Sequence, residues 1–403
     1  MKNRRFIDRG VIMPEPEAVH IGDEVSADRI APGVVLHPGT RLEGEALSIG
    51  PGSAIGSEGP AVVRDCQLGG KVTLGSGFFD GSVFLDGASM GGGAHVRPGC
   101  LLEEEASGAH TVGLKQTILL PFVTLGSLIN FCDCLMAGGT SRKDHSEVGS
   151  SYIHFNFTPH QDKATGSLIG NVRRGVMLDQ APVFLGGQGG LVGPARVAFG
   201  TVVPAGQVIR HDILEPGRLV VPPLPHAGSK HYDAAVYGAV DRLIVNNLHY
   251  IAELKALDLW YRDMRRAFMA DDAFARACYD GARRVLSGNL KERIKRLGDV
   301  IAKFPASIRL LTQSADDRSR EHAARQAYWA GEWPAIEKAL RADVPDTATH
   351  PGRAALAAAL AKRAAGQTYV TWVKALDASI RDGGEEWLST VSEGVIGKWT
   401  TTR

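Results

Sequence analysis

Aliphatic residues recur every six positions through the first half of the chain. Ile30, Leu36 and Leu42 are six apart, as are Ile49 and Ile55, and Leu68 and Leu74. Phe84, Met90, Val96 and Leu102 resume the step after a phase shift, and Leu185, Leu191, Val197, Val203 and Ile209 hold it over five consecutive positions. Turn residues lie between them, as in Ala31-Pro32-Gly33, His37-Pro38-Gly39 and Arg97-Pro98-Gly99. A helix repeats at about 3.6 residues and a half-buried strand at about two; one aliphatic in six fits neither. A turn-rich β-sandwich would not hold the run from Leu185 to Ile209. The spacing predicts a parallel β-helix of hexapeptide steps, whose coils bury their aliphatics only by stacking on one another. Phase slips at Gly56 to Val63, Gly75 to Val83 and Gly138 to Gly166 are expected to be loops thrown out of the prism.

From about His231 the spacing becomes helical, as in Ala239 to Val245 running on through Leu254, Leu257 and Trp260. Further helices are expected over about Asp272 to Leu286, Leu290 to Ile301, Asp317 to Ala330, Gly352 to Ala365, Thr368 to Arg381 and Glu385 to Glu393. Breaks are expected at Val344-Pro345-Asp346, His350-Pro351-Gly352 and Gly383-Gly384. The fold class is thus mainly β, then α: a parallel β-helix over 1–224 and a helical domain over 225–403, meeting near Val220 to Pro225. Trp260, Tyr261, Trp329, Trp333, Trp372 and Trp387 read as packing between helices, and Lys291-Glu292-Arg293 as a solvated face. No chemistry is legible in this half. Its expected roles are oligomer contacts or cover for one side of the prism.

The chain has 403 residues and a formal net charge of +1, which gives no reason to expect nucleic acid or an anionic membrane as partner. No apolar run reaches the length of a membrane span, and the N-terminus lacks an apolar stretch of signal-peptide length, so a cytoplasmic protein is expected. The five cysteines form no CxxC pairs, which fits a reducing compartment. Cys132-Asp133-Cys134 has no second ligand pair at zinc-like spacing, so no metal is expected.

Candidate chemistry gathers in Gly138 to Gly166, which holds three of the 13 histidines: His145, His154 and His160. Tyr152 to Phe157 alternates like a strand. Ile153, Phe155 and Phe157 are expected to join a core, with Tyr152, His154 and Asn156 facing outwards.

His95-Val96-Arg97-Pro98-Gly99, Val112-Gly113-Leu114-Lys115, and Asn156-Phe157 followed by Lys163-Ala164-Thr165 carry a family resemblance. From about Ala94 to Asp212 the chain resembles the acetyltransferase half of the bifunctional enzyme that makes UDP-N-acetylglucosamine. That half is a trimeric left-handed β-helix which acetylates glucosamine phosphate from acetyl-CoA. The resemblance implies a left-handed prism, a homotrimer with sites between neighbouring prisms, and acetyl-CoA or another acyl-CoA as co-substrate. It implies that Arg97 and Lys115 hold the phosphate of a sugar phosphate or nucleotide sugar, a group suited to an Arg fork and a Lys point charge. Asn156 and Lys163 would lie where sugar and acyl donor meet, and Ala205-Gly206 along the pantetheine arm.

Two departures stand out. The family's base histidine has no counterpart in Gly126 to Phe131, and the tyrosine of its Asn-Tyr pair is Phe157. Two histidines are available as a replacement proton acceptor, His154 on the strand face of Asn156 and His145 after Asp144; the alternative for each is a surface or hydrogen-bonding histidine. Asn130 and Tyr152 are assigned to the substrate. The expected function is acyl-CoA-dependent transfer to a phosphorylated sugar or sugar nucleotide. One alternative is a non-catalytic sugar-nucleotide-binding or scaffold protein. A second, a UDP-sugar nucleotidyltransferase, lacks its phosphate loop: Gly138 to Arg142 only echoes one and lies mid-prism.

Overall fold

A computed structural model describes residues 3–223, 227–229, 232–314, 316–344 and 347–400. Short parallel strands stack into three faces of ten, eight and nine strands. Each coil visits them in that order, as Ala94–Val96, Leu101–Leu102 and Ser107–Gly108 do. Every aliphatic of the six-residue series lies buried in one continuous core. Turn glycines such as Gly33 and Gly39 have positive φ, where a side chain would be strained.

The slips resolve differently from one another. Val63 pairs with both Leu42 and Phe79 in the ten-strand face. The slips at Gly56 to Val63 and Gly75 to Val83 are therefore unequal coils absorbed at corners, and the expectation of extruded loops there is corrected. Gly138 to Gly166 does leave the prism, but twice. An antiparallel hairpin of Gly139–Ser141 and Asp144–His145 comes first. The chain then rejoins the prism as Glu147–Val148 and Tyr152–Phe155 before a loop over 156–166.

Nine helices lie among the described residues. Two are single turns within the β half: α1 (Arg4–Ile7) and α2 (Val172–Gly175). The others are α3 (Asp241–Asp263), α4 (Ala273–Ile301), α5 (Phe304–Leu311), α6 (Asp317–Arg341), α7 (Pro351–Ala361), α8 (Tyr369–Lys374) and α9 (Ala378–Thr400). None is long and apolar enough to cross a membrane. The two helices expected over 272–286 and 290–301 are one, α4, whose N-terminal amides bond to Asp272. Gly383-Gly384 lies inside α9 rather than breaking it. There α7 and α9 cross so closely that a Cβ on Gly352 would overlap the Gly383 carbonyl. Leu224, Pro225 and the Pro345-Asp346 break lie outside the described residues.

The eight-strand face explains why helices are needed. Its strands carry paired aliphatics: Val83-Phe84, Leu101-Leu102, Ile118-Leu119, Leu135-Met136 and Leu168-Ile169. The second of each pair enters the prism core. The first faces out and is buried against Tyr250, Leu254 and Leu257 of α3 and Ala282 and Leu286 of α4. Polar pins fix the joint. Tyr261 donates to Glu103 at 2.6 Å, and Arg265 pairs with Glu104 at 2.7 Å. Glu253 of α3 accepts from the Val172 amide at 2.7 Å and pairs with Arg173.

Burial pushes the Glu103 carboxyl up to about 7. Tyr261→Phe removes its neutral donor. The expected loss is about 1–3 kcal/mol of unfolding free energy. Urea titration checks it, with the larger loss at pH 8, where Glu103 is ionised, than at pH 5.

Candidate functional site

The three corners of the prism are distinct environments. Arg97, Lys115-Gln116 and Cys132-Asp133 follow one another, coil by coil, at the corner from the ten-strand to the eight-strand face. Lys115 pairs with Cys132 at the strand ends. Gln116 and Asp133 both turn the corner with positive φ, of 49° and 64°. That conformation is uncommon without glycine and is better tolerated by Asp than by most residues. The 156–166 loop leaves from the same corner one coil later.

These residues line a cleft of about 280 Å³ with Asn130, Asn156, Phe157 and Lys163 on the prism side and Glu292, Arg293 and Arg296 of α4 opposite. Five of the site residues expected from the sequence, Arg97, Lys115, Asn130, Asn156 and Lys163, therefore meet in one place. Arg97 Nη2 lies 3.1 Å from Cys132 Sγ, and Asn156 Nδ2 donates to Asp133 Oδ2 at 3.1 Å. Five cations face two carboxylates, Asp133 and Glu292. Such a slot favours an anion. Among the described residues, no group of three or more His, Cys, Asp and Glu side chains is placed to hold a metal ion.

The helical half orders the loop that carries Asn156 and Lys163. Asp162, buried, accepts from Tyr237 and from Lys303, each at 2.6 Å. Lys303 also donates to the His160 carbonyl, and the His160 ring stacks on Tyr237 at 4.3 Å. Asn247 donates to the Ala164 carbonyl and Arg293 to that of Lys163. The reading of Lys291 to Arg293 as a solvated face is corrected at Arg293, which is 2% exposed. Asn289, Glu292, Arg293 and Arg296 fall at i, i+3, i+4 and i+7, one stripe of a helix. Asn289 bonds the Gly99 carbonyl from it. That polar stripe is the signal the sequence offered.

The expected strand faces are inverted. Tyr152 and His154 point into the core, while Ile153, Phe155 and Phe157 are 41–58% exposed. The glycines of the next coil permit this: a Cβ on Gly189 would press on Tyr152, and one on Gly193 on His154. His154 Nδ1 lies 2.6 Å from the Cys132 carbonyl and Nε2 2.8 Å from Ser167 Oγ. Burial brings its pKa down to about 4. It is neutral and enclosed, with both nitrogens engaged, which removes the geometry expected of a proton acceptor. Tyr152 is likewise enclosed, its hydroxyl without a hydrogen-bond partner among the described residues, so it cannot reach a substrate.

The remaining expected residues occupy the other corners. His145 ends the hairpin between the eight- and nine-strand faces, with Nδ1 3.0 Å from the Arg142 carbonyl. Ala205-Gly206 is an exposed turn between the nine- and ten-strand faces, stacked on Gly187. Neither lines the cleft. One histidine was passed over. His95 is exposed two residues before Arg97, on the same strand side, and its ring lies 5.3 Å from Phe78. It lines a groove of about 500 Å³ that shares Arg97 and Asn130 with the cleft. The period-two pairing of His95 with Arg97 was the available signal.

No family model matches the chain. Curated proteins described as bifunctional protein GlmU do. The chain is 25% identical to that of Thermotoga sp. (strain RQ2) over 214 residues, 53% of this chain and 42% of the relative. For Nitratidesulfovibrio vulgaris (strain DP4) the identity is 28% over 215 residues, 52% and 41% of the two chains. For Thermus thermophilus it is 32% over 194 residues, 48% and 37%. The match spans about two-fifths of the relatives' length. With the three-faced parallel prism, it supports a hexapeptide-repeat, acetyltransferase-like protein.

His154 gives the prism an acid sensitivity. Its folded pKa lies below the ordinary 6.5, so the unfolded chain binds the extra proton between pH 6.5 and 4. Its contribution to stability is complete above pH 6.5 and declines as pH falls towards 4, by up to about 3 kcal/mol. Denaturant melts across that range check this, and His154→Gln should flatten the slope.

Proposed function

We propose that this protein is a transferase of the hexapeptide-repeat class that moves an acyl group from a CoA thioester to a phosphorylated sugar or sugar nucleotide. The observation that carries the reading is the convergence of Arg97, Lys115, Asn130, Asn156 and Lys163 in one cation-rich cleft. Arg97 and Lys115 hold the phosphate, and Asn156, oriented by Asp133, meets the sugar. An acceptor amine attacks the thioester carbonyl, the C–S bond breaks, and the thiolate leaves while a base takes the amine proton. His95 is the histidine best placed for that step, because its groove opens onto Arg97 and Asn130. The CoA arm lies along the open turn at Ala205-Gly206, where Gly206 leaves free space. The exposed Leu128, Ile153, Phe155 and Phe157 support a neighbouring prism on the ten-strand face and a trimer. Five buried free thiols suit a reducing cytoplasm.

A second reading is a sugar-nucleotide-binding protein without catalysis. It is favoured by the cleft itself, whose lining contains no histidine.

Calorimetric titration with acetyl-CoA and with UDP-N-acetylglucosamine tests both. Saturable binding is expected, with Lys115→Ala weakening the sugar nucleotide about 10- to 100-fold, the value of a hydrogen bond to a charged group. His95→Asn should leave affinity in place and lower acyl transfer about 100-fold or more. Sugar-nucleotide binding with no acetyl-CoA binding would transfer support to the second reading. Neither ligand binding at millimolar concentration would remove the first.

A further inference from the structure

We infer that helix α4 is part of the ligand site and that Arg293 binds a phosphoryl oxygen directly, making the cleft a phosphate clamp shared between the prism and the helical half. The inference rests on the proposed function only in giving the cleft a ligand.

Arg293 is 2% exposed, and three neighbours account for its terminal nitrogens. Nη1 donates to the Lys163 carbonyl at 3.2 Å. Nη2 lies 3.0 Å from Asp133 Oδ1 and 2.9 Å from Gln116 Oε1. Nε is buried and has no hydrogen-bond partner among the described residues. A buried donor without an acceptor is costly and uncommon. This one belongs to a side chain that lines the cleft, beside Lys115 and Lys163. An anionic oxygen in the cleft supplies the missing acceptor.

The charges indicate what kind of anion. Asp133 neutralises Arg293, and Glu292 neutralises Arg296 at 2.7 Å. Arg97, Lys115 and Lys163 remain without a carboxylate in the cleft to balance them. An excess of three positive charges suits a phosphoryl or diphosphoryl group better than a single carboxylate, and a tetrahedral oxyanion offers oxygens to several donors at once. Arg293 also orients the prism side, because it holds the Asp133 carboxylate that accepts from Asn156.

Inorganic pyrophosphate is the probe, titrated calorimetrically into the full chain with thermal melts alongside. Arg293→Lys keeps a charge for Asp133 but loses the guanidinium donors. The double variant Asp133→Asn/Arg293→Gln removes both charges of the buried pair together and guards against an unpaired carboxylate. Wild type should bind saturably, and both variants should bind at least tenfold more weakly. A variant that melts like wild type yet binds pyrophosphate with unchanged affinity overturns the inference, as does a wild type that shows no saturable binding. Arg293-dependent pyrophosphate binding in a protein that ignores acetyl-CoA and UDP-N-acetylglucosamine would sustain the clamp and defeat the transferase reading.

Discussion

A prism strand two residues long has one side chain facing in and one facing out, and on five of the eight strands of the eight-strand face both are apolar. Everything else in the architecture answers that constraint. The inward residues Phe84, Leu102, Leu119, Met136 and Ile169 stack into the core. The outward row from Val83 to Leu168 would leave an apolar stripe in water, and α3 and α4 cover it. The hydrophobic effect is non-directional, so burial alone does not fix where along the stripe the helices sit. Tyr261 on Glu103, Arg265 on Glu104, and Glu253 on the start of α2 supply that register.

The cleft is a consequence of where the helical layer ends. At the edge of the eight-strand face α4 passes the corner, and Glu292, Arg293 and Arg296 become the second wall of a slot. Polar groups replace aliphatics there because each coil must turn: Gln116 and Asp133 sit at the corner in the left-handed conformation. The same helical half reaches over to hold the 156–166 loop through Asp162, Ala164 and Lys163. A layer that covers a hydrophobic face thus also orders residues that line the cleft.

The fold was more legible than the site, for a physical reason. Six-residue periodicity reports one buried side chain per strand, and stacking makes that signal additive over many coils, as from Leu185 to Ile209. A short alternating strand carries no such redundancy. Between Tyr152 and Phe157 the pattern allowed either face inwards, and the choice was made by Gly189 and Gly193, about 40 residues away in sequence, which leave room inside for a tyrosine and a histidine. Gly383-Gly384 misled in the same way, since a helix break and a close helix crossing both call for glycine. Arg97, Lys115 and Lys163 were recognisable from local motifs because coil stacking brings equivalent corners together. Arg293 was not, because its partner Asp133 is 160 residues earlier and a charged helical stripe usually faces water.

Asp133 links the buried histidine to the cleft. It is itself buried, and two positive or polar partners, Arg293 and Asn156, address its two oxygens separately. Its charge also favours a proton on the nearby His154, while Arg293 opposes one. A protonated His154 would compete for the carboxylate and weaken its hold on Arg293. Burial prevents that by keeping the imidazole neutral, its nitrogens occupied by the Cys132 carbonyl and Ser167. The histidine's inward turn is therefore compatible with an intact clamp. It leaves the Asp133 carboxylate to Arg293 and Asn156, which join the two walls of the cleft.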